Sequence, residues 1–258
     1  MRILSTLTLL LALMACSKPS PNTLIVGTIS GPETELVEVA QKVALEQYGL
    51  TVKIVEFNDY NLPNEALQDG SLDANVYQHL PYLKAATAAH GYDLEAIGKT
   101  FVYPTGIYSI KFKSIKQLPA QATIAIPNDP SNEARALLLL QKARLITLKN
   151  THHANLEDIA TNPRHIHFKE LDAAQLPRVL ADVDAAIINT TFAIPAGLRP
   201  SRDALFIEGK DSPYANLIVI RRNSDKKEQL TLLVKALNSK EVKDKAHELF
   251  GDAAIVAW

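Results

Sequence analysis

Apolar runs of strand length alternate with helical segments along the first hundred residues. Continuous apolar runs predict buried strands at Thr23–Ile29, Thr51–Phe57 and 73–77. Apolar residues at helical spacing follow each run, at 36–44, 62–69 and 81–90. Ser30 and Glu33 have the spacing of a capping box, so we expect the first helix to begin there. The repeated strand and helix order predicts a parallel sheet with right-handed crossovers.

A second run of the same kind begins after residue 112. Asp129 is placed to cap a helix that has Pro130 at its first position and continues through 135–144. The remaining predicted strands are 122–127, 166–171, 185–189, 204–207 and 216–221, and the remaining predicted helices are 172–181, 227–238 and 240–250. No low-complexity linker separates the two runs. We therefore expect two α/β lobes joined by crossing strands, with a cleft between them.

The amino terminus has the pattern of an export signal. In residues 1–15 the single charge, Arg2, precedes an apolar run that is too short to span a bilayer. The segment 13–16 resembles the cleavage site of bacterial lipoproteins, which makes Cys16 the expected lipid-modified residue. Residues 1–15 are then a signal peptide and 16–22 a lipidated tether. The predicted location is the cell envelope, with the folded part outside the cytoplasm.

Composition removes several classes of protein. The 258 residues contain one cysteine, so an internal disulfide is impossible, and zinc ribbons and iron–sulfur clusters lack sulfur ligands. A formal net charge of −1 lacks the positive footprint of a nucleic-acid-binding protein. The loop Gly27 to Gly31 follows a strand and opens a helix, but it lacks the motifs of nucleotide-binding loops. The GxSxG and HExxH signatures of hydrolases are also missing.

Polar and aromatic residues gather where predicted strands end or begin, which is where open α/β sheets bind ligands. The segments are 58–60, 75–82, 128–135, 188–191 and 212–216. Arg135 can bind a carboxylate, and the side-chain oxygens of Asn189 and Asn216 can accept from an ammonium. Tyr77, His79 and Tyr82 can form walls around a flexible side chain. This chemistry suits a small polar ligand such as an amino acid, and it leaves the ligand open.

Long motifs in these segments resemble one known family. They are GPETELVEVA (31–40), VKIVEFNDYNLPNEAL (52–67), LDANVYQHLPYL (72–83), GKTFVYPTGIYS (98–109), IAIPNDPSNEARALLLLQ (124–141), DAAQLPRVLADVDAAIINTTFA (172–193) and DSPYANLIVIR (211–221). The chain from about residue 23 to 258 resembles the methionine-binding lipoproteins of bacterial ABC importers, the NlpA lipoprotein family.

The resemblance implies a type II periplasmic-binding-protein fold that closes over methionine. Residues 23–109 plus 198–258 would form the first lobe and 110–197 the second. Carried over motif by motif, Tyr77, His79 and Tyr82 enclose the side chain, with Tyr60 adjacent. Arg135, with Asn132 near it, holds the carboxylate, and Asn189 and Asn216 serve the polar end. The family often has an aromatic pair where this chain has Val76 and Tyr77, so we expect one pocket wall to be roomier.

The resulting prediction is a monomeric binding protein, not an enzyme, with no cofactor and no nucleic-acid partner. It would deliver methionine, in the L or D form, or a close derivative to an ABC permease and its ATPase. Two alternatives stay open. The histidines at 152–153 and at 165 and 167 suggest a metal-binding lipoprotein. A surface lipoprotein or adhesin that retains the fold is the other, because a fold does not determine a function.

Overall fold

Two mixed β-sheets organise the protein in a computed structural model that describes residues 22–209 and 212–258. The first sheet has the strand order β13-β4-β12-β3-β1-β2. Its strands are β1 (Thr23–Ile29), β2 (Thr51–Phe57), β3 (Ala74–His79), β4 (Leu94–Val102), β12 (Ala215–Arg221) and β13 (Ile255–Val256). β1 pairs in parallel with β2 and β3, whereas β12 is antiparallel to both of its neighbours. The sheet is therefore mixed, and the prediction of a parallel sheet holds only for its first half.

The second sheet has the order β11-β5-β10-β6-β9. Its strands are β5 (Gly106–Tyr108), β6 (Thr123–Pro127), β9 (His167–Leu171), β10 (Ala185–Ile188) and β11 (Ala204–Ile207), and a separate hairpin pairs β7 (Thr147–Leu148) with β8 (Ile159–Thr161). β6 pairs in parallel with β9 and β10, and β5 runs antiparallel to β10 and β11. We call the first sheet with its helices the first lobe, and the second sheet with its helices the second lobe.

Helices cover both faces of the first sheet. The helices of the described chain are α1 (Pro32–Tyr48), α2 (Leu62–Gln68), α3 (Leu80–His90), α4 (Pro130–Lys142), α5 (Thr190–Ala193), α6 (Pro200–Asp203), α7 (Lys227–Leu237) and α8 (Lys240–Phe250). Apolar residues of α1, α7 and α8 form one buried cluster with the sheet, and those of α2 and α3 form another. None of the helices in the described ranges is long and apolar enough to cross a membrane.

The chain passes between the lobes twice. The first passage lies between β4 and β5, and the second lies between β11 and β12. The crossing strands were expected, but the predicted boundaries at 109/110 and 197/198 are wrong. They place β5 and β11 in the first lobe, whereas the hydrogen bonds of both strands belong to the second sheet. The change of sheet thus falls after Val102 and before Gly106 in the first passage, and after Ile207 and before Ala215 in the second.

Two local predictions also need correction. The capping box at Ser30 and Glu33 does not form, because α1 begins one residue later with Gly31 as its N-cap residue and no side-chain cap. Gly31 has φ of 121°, a conformation that favours glycine. The helix expected at 172–181 is a short 3₁₀ turn, Ala173–Gln175, followed by further turns. Pro177 accounts for part of this difference, because proline has no backbone N–H to donate the hydrogen bond that would continue a helix.

Candidate functional site

A cavity lined by residues of both lobes lies between them. Its lining residues are Tyr60, Tyr77, Gln78, His79, Tyr82, Tyr103, Asn132, Arg135, Asn189, Thr190, Thr191 and Asn216. All eight residues predicted from the sequence are in this set. The fold therefore brings them together, and their role in ligand binding stays a prediction.

Strand ends explain the convergence. β3 ends at His79, and Asp129, Asn132 and Arg135 follow the end of β6. Asn189 directly follows β10. Asn216 stands near the start of β12, but this strand is antiparallel to β3 and pairs Asn216 with His79, so it reaches the same edge. The cavity thus lies outside the carboxyl ends of the parallel strands of both lobes, as in other open α/β sheets.

We call Tyr60, Tyr77 and Tyr82 of the first lobe the aromatic wall. Their ring centroids are 5.8 to 5.9 Å apart, at tilted or edge-on angles. The hydroxyls of Tyr77 and Tyr82 both donate to the carbonyl oxygen of Tyr60, at 3.2 and 2.8 Å. Phe192 of the second lobe packs on Tyr60 with a centroid distance of 4.8 Å. Burial raises the pKa of all three phenols, so the wall is neutral.

His79 joins the aromatic wall to the second lobe as a neutral side chain. Its Nδ1 accepts from the backbone N–H of Tyr82 at 3.2 Å, so Nε2 carries the proton and donates to Asn132 Oδ1 at 3.3 Å. Burial lowers the pKa of His79 to about 3, and the positive charge of Arg135 acts in the same direction. His79 is thus a fixed donor at neutral pH.

We call Asn132, Arg135 and Asn189 of the second lobe the polar wall. The amide nitrogen of Asn132 donates to both carboxylate oxygens of Asp129, at 3.1 and 3.0 Å, which fixes its oxygen toward the cavity side of the network. That oxygen accepts from Asn189 Nδ2 at 2.9 Å. Asn189 Oδ1 is buried and has no donor among the described residues. Because a buried acceptor without a donor is costly, this atom suits a ligand that donates, such as an ammonium.

Arg135 is held in place by three groups. Its Nε donates to Glu208 Oε1 at 3.1 Å, and its Nη2 donates to the other Glu208 oxygen and, at 3.0 Å, to the Tyr103 carbonyl. The ring of Tyr214 lies 4.3 Å from the guanidinium carbon. Nη1 has no hydrogen bond to any residue that the structure describes. Its two N–H groups therefore remain for a carboxylate.

Sequence reasoning missed the residues that support the site. Glu208 was not singled out, although a buried arginine generally requires an acidic partner, and that requirement was a usable signal. Tyr103 also lines the cavity without having been predicted. Gln78, Thr190 and Thr191 line it from within the segments 75–82 and 188–191, although they were not named as ligand-binding residues. The expected roomier wall is wrong, because Val76 packs in the core of the first lobe and does not line this cavity.

A sequence profile described as NlpA lipoprotein matches residues 24–258. The chain belongs to the NlpA lipoprotein family. A Salmonella typhi protein named D-methionine-binding lipoprotein MetQ is 48% identical over 254 residues, which cover 96% of this chain and 94% of the relative.

Solved structures agree with this membership. A periplasmic substrate-binding protein of an ABC transporter from Coxiella burnetii is 59% identical with a TM-score of 0.88, over 91% of this chain and 100% of that chain. A nutrient-binding protein from Burkholderia cenocepacia, solved with methionine bound, is 50% identical with a TM-score of 0.89 over the same shares. The predicted fold, a two-lobed periplasmic-binding-protein fold of the α/β class, is confirmed. Cys16 and the rest of residues 1–21 lie outside the described residues.

Proposed function

We propose that this NlpA-family protein binds methionine in the cavity between its lobes and delivers it to an ABC importer. The observation that carries the proposal is the buried acceptor Asn189 Oδ1, which lines the same cavity as the Arg135 guanidinium. An amino acid supplies a donor for the first group and a carboxylate for the second. The aromatic wall then surrounds the side chain, and aromatic rings attract a thioether sulfur.

The relatives support methionine as the amino acid. The Salmonella relative is named for D-methionine, and the Burkholderia structure contains methionine. The same support extends to the transport role, because the Coxiella protein is titled as the substrate-binding protein of an ABC transporter. A permease and its ATPase are therefore the proposed partners. The protein acts as a monomeric carrier without catalysis.

Isothermal calorimetry with L-methionine and D-methionine tests the ligand. We expect a one-to-one complex with at least one of the two forms. Arg135→Lys keeps a positive charge but loses the fork geometry, so binding should weaken by about 1.5 to 3 kcal/mol, roughly 10-fold to 150-fold. Arg144→Lys is the matched control, because Arg144 is exposed just beyond α4. Unchanged affinity in Arg135→Lys would refute the carboxylate assignment.

The envelope location depends on Cys16. We propose that Cys16 becomes the first residue of the mature chain and carries the lipid that holds the protein at a membrane, outside the cytoplasm. In a bacterial host, radiolabelled palmitate should enter the wild-type protein and not Cys16→Ala. Incorporation of label into Cys16→Ala would exclude this cysteine as the anchor. Light scattering of the chain that lacks residues 1–22 measures its molar mass in solution and so tests whether the protein is a monomer.

A further inference from the structure

A hydrogen bond between two buried side chains joins the lobes behind the cavity. Glu33 lies in the first turn of α1 in the first lobe, and Thr191 lies on α5 in the second lobe. The hydroxyl of Thr191 donates to Glu33 Oε1 at 2.5 Å. Thr191 lines the ligand cavity, whereas Glu33 does not. Glu33 is 5% exposed, so the carboxyl has almost no contact with solvent in this closed arrangement.

No cation compensates Glu33 within the described part of the chain. The titratable groups whose charges are coupled to it are the phenols of Tyr60 and Tyr103. Burial raises the pKa of both phenols, so they are neutral. On its other side Glu33 borders a second cavity with mostly apolar walls, formed by residues such as Leu36 and Val37.

The neighbouring charged groups have other partners. Glu35, on the same helix turn, binds Lys245 at 3.1 Å. Glu56 of β2 accepts from the Thr34 hydroxyl at 3.4 Å. Arg135 is paired with Glu208. Among the residues that the structure describes, no cation pairs with Glu33, and the hydrogen bond that its carboxyl accepts comes from Thr191 of the opposite lobe.

We propose that Glu33 is a positioning residue for closure, which holds the two lobes together over the ligand through Thr191 and takes up a proton as the cleft closes. This inference rests on the proposed function, because it requires that the lobes part and close around methionine. When they part, Thr191 leaves Glu33 and water reaches the carboxyl. An exposed carboxylate is stable near neutral pH, whereas a buried one without a cation is not.

The pKa of Glu33 gives the direction of the effect. Burial raises it from the ordinary 4.5 to about 7 in the closed protein, and the hydrogen bond from Thr191 opposes the rise. Because the closed-state pKa is the higher one, low pH favours closure. The affinity for methionine that protonation of Glu33 adds is fully present below about pH 4.5, and it is lost as the pH rises through about 7. His79 acts in the opposite direction, because its pKa is lowered in the closed protein.

Calorimetry in buffers of different ionisation enthalpy measures the proton uptake. Methionine binding is followed for wild type and Glu33→Gln, which keeps the shape and the acceptor but cannot titrate. The contribution of His79 to proton uptake is the same in wild type and in Glu33→Gln, so it cancels when the two are subtracted. We expect wild type to take up about one proton more than the variant at pH 6 and almost none more at pH 8.5. The affinity of wild type relative to Glu33→Gln should fall by roughly tenfold or more between pH 5.5 and pH 8.

Three further variants give the controls. Glu38→Gln removes an exposed carboxyl of the same helix and should leave proton uptake and affinity unchanged. Thr191→Val removes the donor that lowers the pKa of Glu33, so the uptake should move to higher pH. Thr191→Ser retains the donor and should restore the wild-type profile. Equal proton uptake in wild type and Glu33→Gln at pH 6 would overturn the inference.

A direct measurement covers the case in which Glu33→Gln does not fold. Carbon-detected NMR of wild type follows the Glu33 carboxyl through a pH titration, with and without saturating methionine. The inference requires a higher pKa in the methionine-bound protein, and the same pKa in both samples would contradict it. Failure of wild type to bind methionine at any pH would instead refute the proposed function, so the two failures are distinguishable.

Discussion

The two walls of the cavity are held in place by different kinds of interaction. In the polar wall, two groups depend on charged partners, Arg135 on Glu208 and Asn132 on Asp129, and Asn189 depends in turn on Asn132. In the aromatic wall, the three tyrosine rings hold one another by packing, and the hydroxyls of Tyr77 and Tyr82 share the backbone carbonyl of Tyr60 as their acceptor. Each side chain of the polar wall is therefore positioned by a specific hydrogen-bonding or charged partner. Each ring of the aromatic wall is instead held by several contacts, so the loss of one contact leaves others in place.

This difference predicts how each wall responds to substitution. Removing one partner of a buried charge leaves the other charge without compensation, and the cost is large. Removing one contact of a packed aromatic cluster leaves the remaining contacts intact, and the cost is small. The polar wall should therefore be sensitive to single changes, and the aromatic wall should respond strongly only when two changes are combined.

The largest effect is expected from Glu208→Gln, which removes the buried ion pair between Glu208 and Arg135 of the polar wall. The variant leaves the guanidinium of Arg135, 4% exposed, without its carboxylate. The free energy of unfolding, measured by urea titration, should fall by about 3 to 5 kcal/mol. The exposed pair Arg222 and Asp93 provides a matched comparison, in which Asp93→Asn should cost at most about 1 kcal/mol.

A double variant separates charge from packing in the same pair. Glu208→Gln combined with Arg135→Met removes both charges, so much of the lost stability should return. Methionine binding should not return, because the carboxylate partner is gone. A double variant as unstable as Glu208→Gln alone would show that the pair contributes through shape and not through charge.

His79 gives the next largest effect, through pH. In the folded protein, burial lowers the pKa of His79 from the ordinary 6.5 to about 3, so the ring is neutral in the folded protein and charged in the acid-unfolded chain. The contribution of His79 to the free energy of unfolding is fully present above pH 6.5, and it decreases as the pH falls below 6.5. Between pH 7 and pH 5 wild type should lose about 2 kcal/mol more unfolding free energy than His79→Asn. Asparagine can still accept at the helix start, so the variant keeps the cap.

The histidine prediction has a direct spectroscopic check. The ring signals of His79 should not shift between pH 8 and pH 5, because the buried ring stays neutral over this range. A titration of His79 near pH 6.5 in the methionine-bound protein would show that its ring reaches water in the closed cleft.

The sequence predicted those residues of the candidate site whose position follows from the strand that precedes them. Arg135 and Asn189 were found because they follow buried strands, and strand ends converge in an α/β sheet. Glu208 and Glu33 were not found, because their roles depend on which distant residues the fold brings beside them. Glu33 was even assigned a local role in a capping box, whereas its actual partner is Thr191, 158 residues away.

The fold shows the same limit. The strand Thr23–Ile29 was predicted because nearly all of its residues are apolar and buried. The helix Lys240–Phe250 was predicted because its buried residues lie on one face at helical spacing. β4 was missed, because its residues do not form a continuous apolar run: of the nine, three are only partly buried and two are exposed. The lobe boundaries were wrong because sheet membership depends on strand pairing, which apolar spacing does not specify.

Paired tyrosine variants test the redundancy of the aromatic wall. Tyr82→Phe removes one of the two donors to the Tyr60 carbonyl, and Tyr77→Phe removes the other. Each single change should cost about 0.5 to 1.5 kcal/mol of unfolding free energy. The double variant leaves a buried carbonyl without either donor, so it should cost more than the sum of the two. Strict additivity would show that the two hydroxyls do not share their acceptor.

Norleucine should give the smallest effect, because it replaces the sulfur of methionine by a methylene and leaves both charged ends unchanged. Contacts between sulfur and aromatic rings contribute about 0.3 to 1.5 kcal/mol in total, so norleucine should bind roughly 2-fold to 10-fold more weakly. Competition calorimetry against methionine measures this ratio.

The ratio of the two affinities also locates the sulfur. If the aromatic wall surrounds the thioether, Tyr77→Leu should reduce the preference for methionine, because a leucine side chain has no ring to attract the sulfur. Arg135→Lys should weaken both ligands equally and leave the ratio unchanged, since the carboxylate is common to them. A preference for methionine that survives in Tyr77→Leu and is lost in Arg135→Lys would place the side chain against the polar wall, and the orientation of the ligand proposed here would have to be reversed.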